Sequence, residues 1–222
     1  VRGKVESFKL DEEEVPDEEK EVSRLHGMRY FHLADLYATG GFRPTVVVVC
    51  GFSGTGKTTV ATVLAERLGI EPLSSDRIRK ALAGIPPEEQ RLDGFNEGIY
   101  AGAFTEKTYR ELIGRGESSL KEGRSIILDA TFSRAAHRRA VVKVAKETGA
   151  NIHFVECTAR DDVIKRRLEK RLREKAAVSD GRWEIFERQK GTYEEIDEPH
   201  LTVDTSKPIE KSIFRLLAVI LG

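Results

Sequence analysis

Short apolar runs rich in β-branched residues alternate along this chain with longer segments whose apolar residues fall at helical spacing. Thr45 to Cys50, TVVVVC, is apolar almost throughout and predicts a strand buried on both faces. A helix is predicted next, with Val60, Val63, Leu64 and Leu68 on its core face. Further strands are predicted over 71–75, 124–130 (RSIILDA), 151–157 (NIHFVEC) and 200–204. Between them the periodicity predicts helices from Asp76 (DRIRKALAG), over about 100–122, from a Ser133 cap to Gly149, over 161–175 and over 209–221. Residues 176–199 read as helical with an irregular start, and 88–98 as a loop opened by Pro86 and Pro87. Strands alternating with helices predict a parallel sheet with right-handed crossovers.

The first 43 residues follow a different pattern. Residues 1–20 carry DEEEVPDEEK and read as a solvated acidic tail. Residues 21–39 read as an amphipathic connector helix with Leu25, Met28, Phe31, Leu33, Leu36 and Tyr37 on one face, stopped by Gly40 and Gly41. The expected division is therefore residues 1–43 and a catalytic-type domain over 44–222.

The 222 residues suffice for one α/β domain with a sizeable core. Lys+Arg and Asp+Glu are both 37, so the net charge is zero, which argues against a duplex-coating protein. No apolar run reaches the roughly 20 residues of a membrane span. The expectation is a cytoplasmic protein with no membrane partner. Cys50 and Cys157 both fall in predicted strands and are expected as buried, reduced thiols.

The chemistry concentrates after the first strand. Gly51, Gly56, Lys57 and Thr58 match G-x-x-x-x-G-K-[ST], the phosphate-binding loop, in its required strand–loop–helix setting. Glycines let successive N–H groups turn into one concavity, and the following helix adds the positive end of its dipole. Gly51, Ser53, Gly54, Thr55, Gly56, Lys57, Thr58 and Thr59 are thus the candidate nucleotide-binding residues. Lys57 would place a cation on the β- and γ-phosphates, and Thr58 a hydroxyl on magnesium.

Ligands of parallel sheets sit beyond the carboxyl ends of the strands, where three further clusters fall. Asp76 and Arg79 share a helix face, either as a catalytic carboxylate with an acceptor-binding arginine or as a helix cap with a surface ion pair. Asp129 ends an apolar strand and is the candidate second magnesium residue, through water. Thr131, Arg134 and Arg138 are candidates to face the acceptor. Arg167 and Arg171, one turn apart on a basic helix, are candidates to neutralise the transferring phosphoryl group from a lid. The turn from Asp204 to Pro208 could border the base. No N-K-x-D sequence is present, so adenine is expected over guanine.

These residues together resemble the phosphate-loop kinases of the small-molecule and polynucleotide group. GFSGTGKTT, SSDRIRKALAG, TEKTYREL, GRSIILDATF, HFVEC and RRLEKR more closely resemble the AAA-type (AAA_33) ATP-binding domain of bifunctional aminoglycoside phosphotransferase/ATP-binding proteins. The D-x-x-R element, and Asp129 with Thr131, are also similar to zeta-toxin and polynucleotide 5′-kinases. The resemblance implies a three-layer P-loop NTPase fold with sheet order 2-3-1-4-5, ATP and magnesium as cofactors, Asp76 on the acceptor side and a lid built on Arg167 and Arg171. YFHLADLY resembles the connector of the fusions, which implies an upstream phosphotransferase-like domain. The leading expectation is transfer of the γ-phosphoryl of Mg-ATP to a hydroxyl of a small molecule. The alternatives are a polynucleotide 5′-hydroxyl kinase acting on a nucleic-acid end, and an ATP-binding switch module of a larger bifunctional protein.

Overall fold

The computed structural model describes residues 2–39, 43–87, 89, 97–173 and 183–221. It divides into two units, residues 1–43 with 214–222, and residues 44–213. In the first unit, helices α1 (Arg2–Phe8) and α2 (Asp17–Thr39) pack on each other. Part of the expected acidic tail is thus helical, and α2 opens at Asp17 because Asp17, Glu18 and Glu19 complement its N-terminal dipole. Met28 and Phe31, expected on a buried face, are exposed.

The second unit contains β1 (Thr45–Cys50), α3 (Lys57–Leu68), β2 (Pro72–Ser74), α4 (Ser75–Leu82), α5 (Gly102–Lys121), β3 (Ile126–Asp129), α6 (Ala135–Thr148), β4 (Asn151–Thr158), α7 (Asp161–Arg173), α8 (Trp183–Lys190) and β5 (His200–Asp204). Helix α9 (Glu210–Leu221) is divided between the units. The five strands among the described residues form one all-parallel sheet of order β2-β3-β1-β4-β5. This is the P-loop NTPase fold with helices around the sheet.

β1 is central because it is apolar enough to be covered from every side: all six of its residues are buried, as are the four of β3 beside it. The register brings Ser74 of β2 and Val49 of β1 level with Asp129 of β3. The carboxyl ends of three strands therefore deliver their loops to one place.

Cys50 and Cys157 are free and buried on neighbouring strands. Burial pushes each thiol up to about 12, so both stay protonated at neutral pH.

Several boundaries differ from expectation. Helix α6 has Arg134, not Ser133, at its cap position, with no side-chain cap. Glu194 does that work instead, accepting the Ala135 N–H at 2.6 Å. Residues 191–199, expected as helix, are irregular after the first turn. The expected loop over 88–98 and the segment 174–182 lie largely outside the described residues.

Arg138 shows why 193–198 holds its shape without regular structure. Its side chain is completely buried. It donates to Glu198 Oε2 at 2.8 Å, to the Phe132 carbonyl at 2.9 Å, to the Glu194 carbonyl at 3.2 Å and to the Glu195 carbonyl. Arg138 is thus a bracket for two loops and not the acceptor-facing residue expected. Replacing it by methionine would strand a largely buried carboxylate and three carbonyls. Arg138→Met is expected to lose about 3–5 kcal/mol of stability, read from the midpoint of denaturant unfolding.

Candidate active site

The carboxyl ends of β1, β2 and β3 open into a cavity of about 400 Å³. Gly51 does not line this cavity but opens the loop that does, at φ +127°, and a Cβ there would stand 2.3 Å from the Cys157 carbonyl oxygen. Only glycine allows β1 to turn so tightly against β4. Gly54, at φ +81°, lies against Ile164 and Leu168 of α7, with no room for a side chain. Phe52 packs on the same cluster, edge-on to Phe186 of α8 at 5.6 Å, and lies tilted on Tyr193 at 4.5 Å. The loop is therefore held between the sheet and helices α7 and α8.

Within it the residues divide. Ser53, Gly54, Gly56, Lys57 and Thr58 line the cavity. Thr55 is buried and serves the loop itself, its hydroxyl donating to the Phe52 carbonyl at 2.8 Å. Thr59 is exposed and does not line the cavity. The Lys57 ammonium donates to the Phe52 carbonyl at 2.8 Å. Burial lowers its pKa below 10.5, opposed by the nearby Asp129 and Asp76 carboxylates.

The Thr58 hydroxyl donates to Asp129 Oδ2 at 2.8 Å. Asp129 is 5% exposed, and burial raises its pKa against the pull of Lys57. One hydroxyl and one carboxylate side by side suit magnesium, which takes hard oxygen donors and keeps several waters. Among the described residues no cluster of three or more His, Cys, Asp or Glu could hold a metal by itself. The donor set thus fits a metal that arrives with phosphate, not one caged by protein.

The opposite wall belongs to α4, α5 and the segment after β3. Ser74 caps α4 without a side-chain hydrogen bond, and Asp76 lies in its first turn. The Asp76 carboxylate lines the cavity half-buried, with no hydrogen bond or ion pair to a described residue. Arg79 is 6% exposed and lines the same cavity, so the surface ion pair is not what the structure shows.

Thr131 lines the cavity, and its carbonyl accepts from the Gly51 N–H at 3.2 Å. Phe132 follows at φ +50°, unusual for a residue with a side chain. Its N–H donates to the Tyr109 hydroxyl at 2.9 Å and its carbonyl accepts from Arg138, which together hold the turn. Arg134 lines the cavity but is exposed and paired with Glu106 at 2.7 Å.

Of the two arginines expected on a lid, Arg171 lines the cavity. Arg167 does not. It donates to Thr205 Oγ1 at 2.8 Å and to the Thr205 carbonyl at 2.7 Å. Thr205 in turn donates to the Thr55 carbonyl at 2.6 Å. Arg167 therefore ties α7 to the turn after β5 and to the phosphate loop.

Four contributors escaped the sequence reading. Gln189 Oε1 accepts the Ser53 N–H at 2.9 Å, so α8 holds the phosphate loop directly. Ile185 of α8 and Thr192 in the turn after it line the cavity with Gln189. His137, 7% exposed, stacks on Tyr109 at 3.8 Å and bonds Glu106 at 3.1 Å.

Residues 46–196 match the AAA_33 family model, an AAA domain. The chain belongs to this family. The uncharacterized protein Rv2004c of Mycobacterium tuberculosis is 29% identical over 170 residues, 76% of this chain and 33% of that protein. This AAA-domain chain thus spans about a third of the length of the curated relatives it matches. Among solved structures, a putative kinase from Chloroflexus aurantiacus is similar at TM-score 0.61 and 21% identity, covering 81% of this chain and 94% of that one. The APS kinase CysC of Mycobacterium tuberculosis, in complex with AMPPNP and APS, aligns at TM-score 0.57 and 22% identity, covering 81% and 98%. At these identities the structures attest the fold that the AAA domain shares with kinases. No helix among the described residues is long and apolar enough to cross a membrane.

Proposed function

We propose that this AAA domain is an ATP-dependent phosphotransferase that moves the γ-phosphoryl of Mg-ATP to a hydroxyl of a small molecule. The observation that carries the reading is the pairing, in one cavity, of a phosphate loop with a half-buried carboxylate, Asp76, that no described residue satisfies. The similarity to a putative kinase and to an APS kinase bound to AMPPNP supports it.

The loop amides and Lys57 hold the triphosphate, and Arg171 approaches from the lid side of the cavity. Thr58 and Asp129 would hold a magnesium ion, which would supply positive charge to the phosphate oxygens. Asp76 orients the acceptor hydroxyl and takes its proton as the oxygen bonds to the γ-phosphorus. The bond from that phosphorus to the bridging oxygen breaks, and ADP leaves with the electron pair. Gln189 and the aromatic clamp on Phe52 keep the loop in register with α8 while this happens.

The test is a screen of hydroxyl compounds and 5′-hydroxyl oligonucleotides with γ-labelled ATP. Label is expected on a small molecule. Label on oligonucleotide ends alone would make the protein a polynucleotide kinase, and tight ATP binding with no transfer would make it a switch.

A further inference from the structure

Gln189 occupies one of the phosphate loop's own amides. Its Oε1 accepts the Ser53 N–H at 2.9 Å, and both residues line the cavity. Loop amides are the groups that hold phosphate, so here the loop gives up one donor to a side chain. The glutamine carries two donors in return, on Nε2. No described residue accepts from that Nε2, and the atom keeps open surface on a half-buried side chain. Accepting the Ser53 N–H on Oε1 also polarises the amide and makes Nε2 the better donor.

Position along the loop decides which phosphate this donor meets. At Thr55 and Gly56 the loop lies against the turn after β5, where the base is expected. Thr205 donates to the Thr55 carbonyl at 2.6 Å, and a Cβ on Gly56 would stand 3.1 Å from Thr205 Oγ1. Ser53 is toward the other end of the loop. There α8 runs on into a segment that grips the acceptor wall. The Tyr193 hydroxyl donates to the Thr131 carbonyl at 3.5 Å, and the Glu194 N–H to the Ser133 carbonyl at 2.8 Å. Thr131, Ser133 and Asp76 line the same cavity. A triphosphate laid from the base turn toward Asp76 therefore ends beside Ser53 and Gln189. Phe186, three residues before Gln189, is buried against Phe52, so the amide is held in place before any ligand arrives.

We propose that Gln189 donates from Nε2 to an oxygen of the γ-phosphate while its Oε1 keeps the Ser53 N–H, and that this contact distinguishes ATP from ADP at the loop. The inference rests on the phosphotransferase reading for the direction in which the triphosphate lies, and on the Gln189–Ser53 geometry for the donor. A side chain that only braced the loop would behave differently. Bracing supports every phosphate alike, whereas a donor beside the last phosphate is felt by ATP and not by ADP.

The chain has two glutamines, Gln90 and Gln189. In ¹⁵N-labelled protein the side-chain amide pair of Gln189 is therefore assigned by its loss in Gln189→Glu, or by elimination with Gln90→Glu. In the wild-type protein with magnesium, the pair is expected to shift strongly with AMPPNP and little with ADP. ADP with aluminium fluoride, which fills the place of the γ-phosphate, should restore the shift. Gln189→Glu keeps an acceptor for the Ser53 N–H and puts a carboxylate oxygen where the donor was. Its affinity for AMPPNP is expected to fall about ten- to a hundredfold. Its affinity for ADP should change far less.

Equal shifts with the two nucleotides, or equal losses of affinity in the variant, would make Gln189 a brace only and overturn the inference. The shifts are read on the wild-type protein, so a variant that fails to fold leaves the test intact. The expected shifts in a protein that transfers phosphoryl to no acceptor would instead sink the phosphotransferase reading and leave the γ-phosphate contact standing. Equal shifts in a protein that does transfer would overturn the contact alone.

Discussion

Asp76→Ala is expected to lower phosphoryl transfer about 10²- to 10⁴-fold, the usual contribution of a positioned general base. The affinity for Mg-ATP should stay close to that of the wild type. The split follows from where Asp76 stands: it lines the cavity from α4, across from the phosphate loop, and bonds none of the loop residues. Its link to the loop is through space, where it helps keep the Lys57 ammonium charged. Losing that support weakens ATP binding slightly, and losing the carboxylate removes the acceptor's proton sink. Asp76→Asn keeps the shape and some orientation but not the basicity, so it should transfer as poorly as alanine. Single-turnover transfer beside equilibrium binding of a fluorescent ATP analogue measures both quantities. A variant that transfers at the wild-type rate would remove Asp76 from the mechanism and leave an ATP-binding module.

How far the residues announced this site depends on the range of the interactions involved. β1 and its loop were legible because their signals are local. TVVVVC can only be a covered strand, and Gly51, Gly56, Lys57 and Thr58 stand at fixed offsets. Asp129 was legible for the same reason, as the end of an apolar strand that registers with β1. The arginines were not, because a guanidinium's partners lie far along the chain. Arg138 meets carbonyls 56 and 57 residues away, and Arg167 meets Thr205, 38 residues on. Helical spacing puts Arg167 and Arg171 on one face, but only packing decides that Arg171 lines the cavity while Arg167 is taken by Thr205. Gln189 was silent because one neutral amide on a charged helix carries no pattern. Its meaning comes only from the Ser53 N–H, 136 residues earlier.

Lys57→Ala should fail on both counts where Asp76→Ala fails on one. The ammonium is the only mobile positive charge of the loop itself, seated among the amides that line the cavity. Removing it should weaken Mg-ATP binding about ten- to a hundredfold, the worth of one charge-assisted contact to phosphate. Transfer should fall by a further factor of roughly 10² to 10³, because charge accumulates on the bridging oxygen as the bond breaks. The pH dependence supplies an independent check. Burial depresses the Lys57 pKa below 10.5, and phosphate binds the protonated form. Affinity is therefore full below the depressed pKa and falls as pH rises through it, on the alkaline side and earlier than an exposed lysine would set. That alkaline limb should vanish in Lys57→Ala, leaving weak and nearly level binding over the same range. Titrating a fluorescent ATP analogue against both proteins across alkaline pH resolves the limb. Its persistence in the variant would mean that another group holds the phosphates.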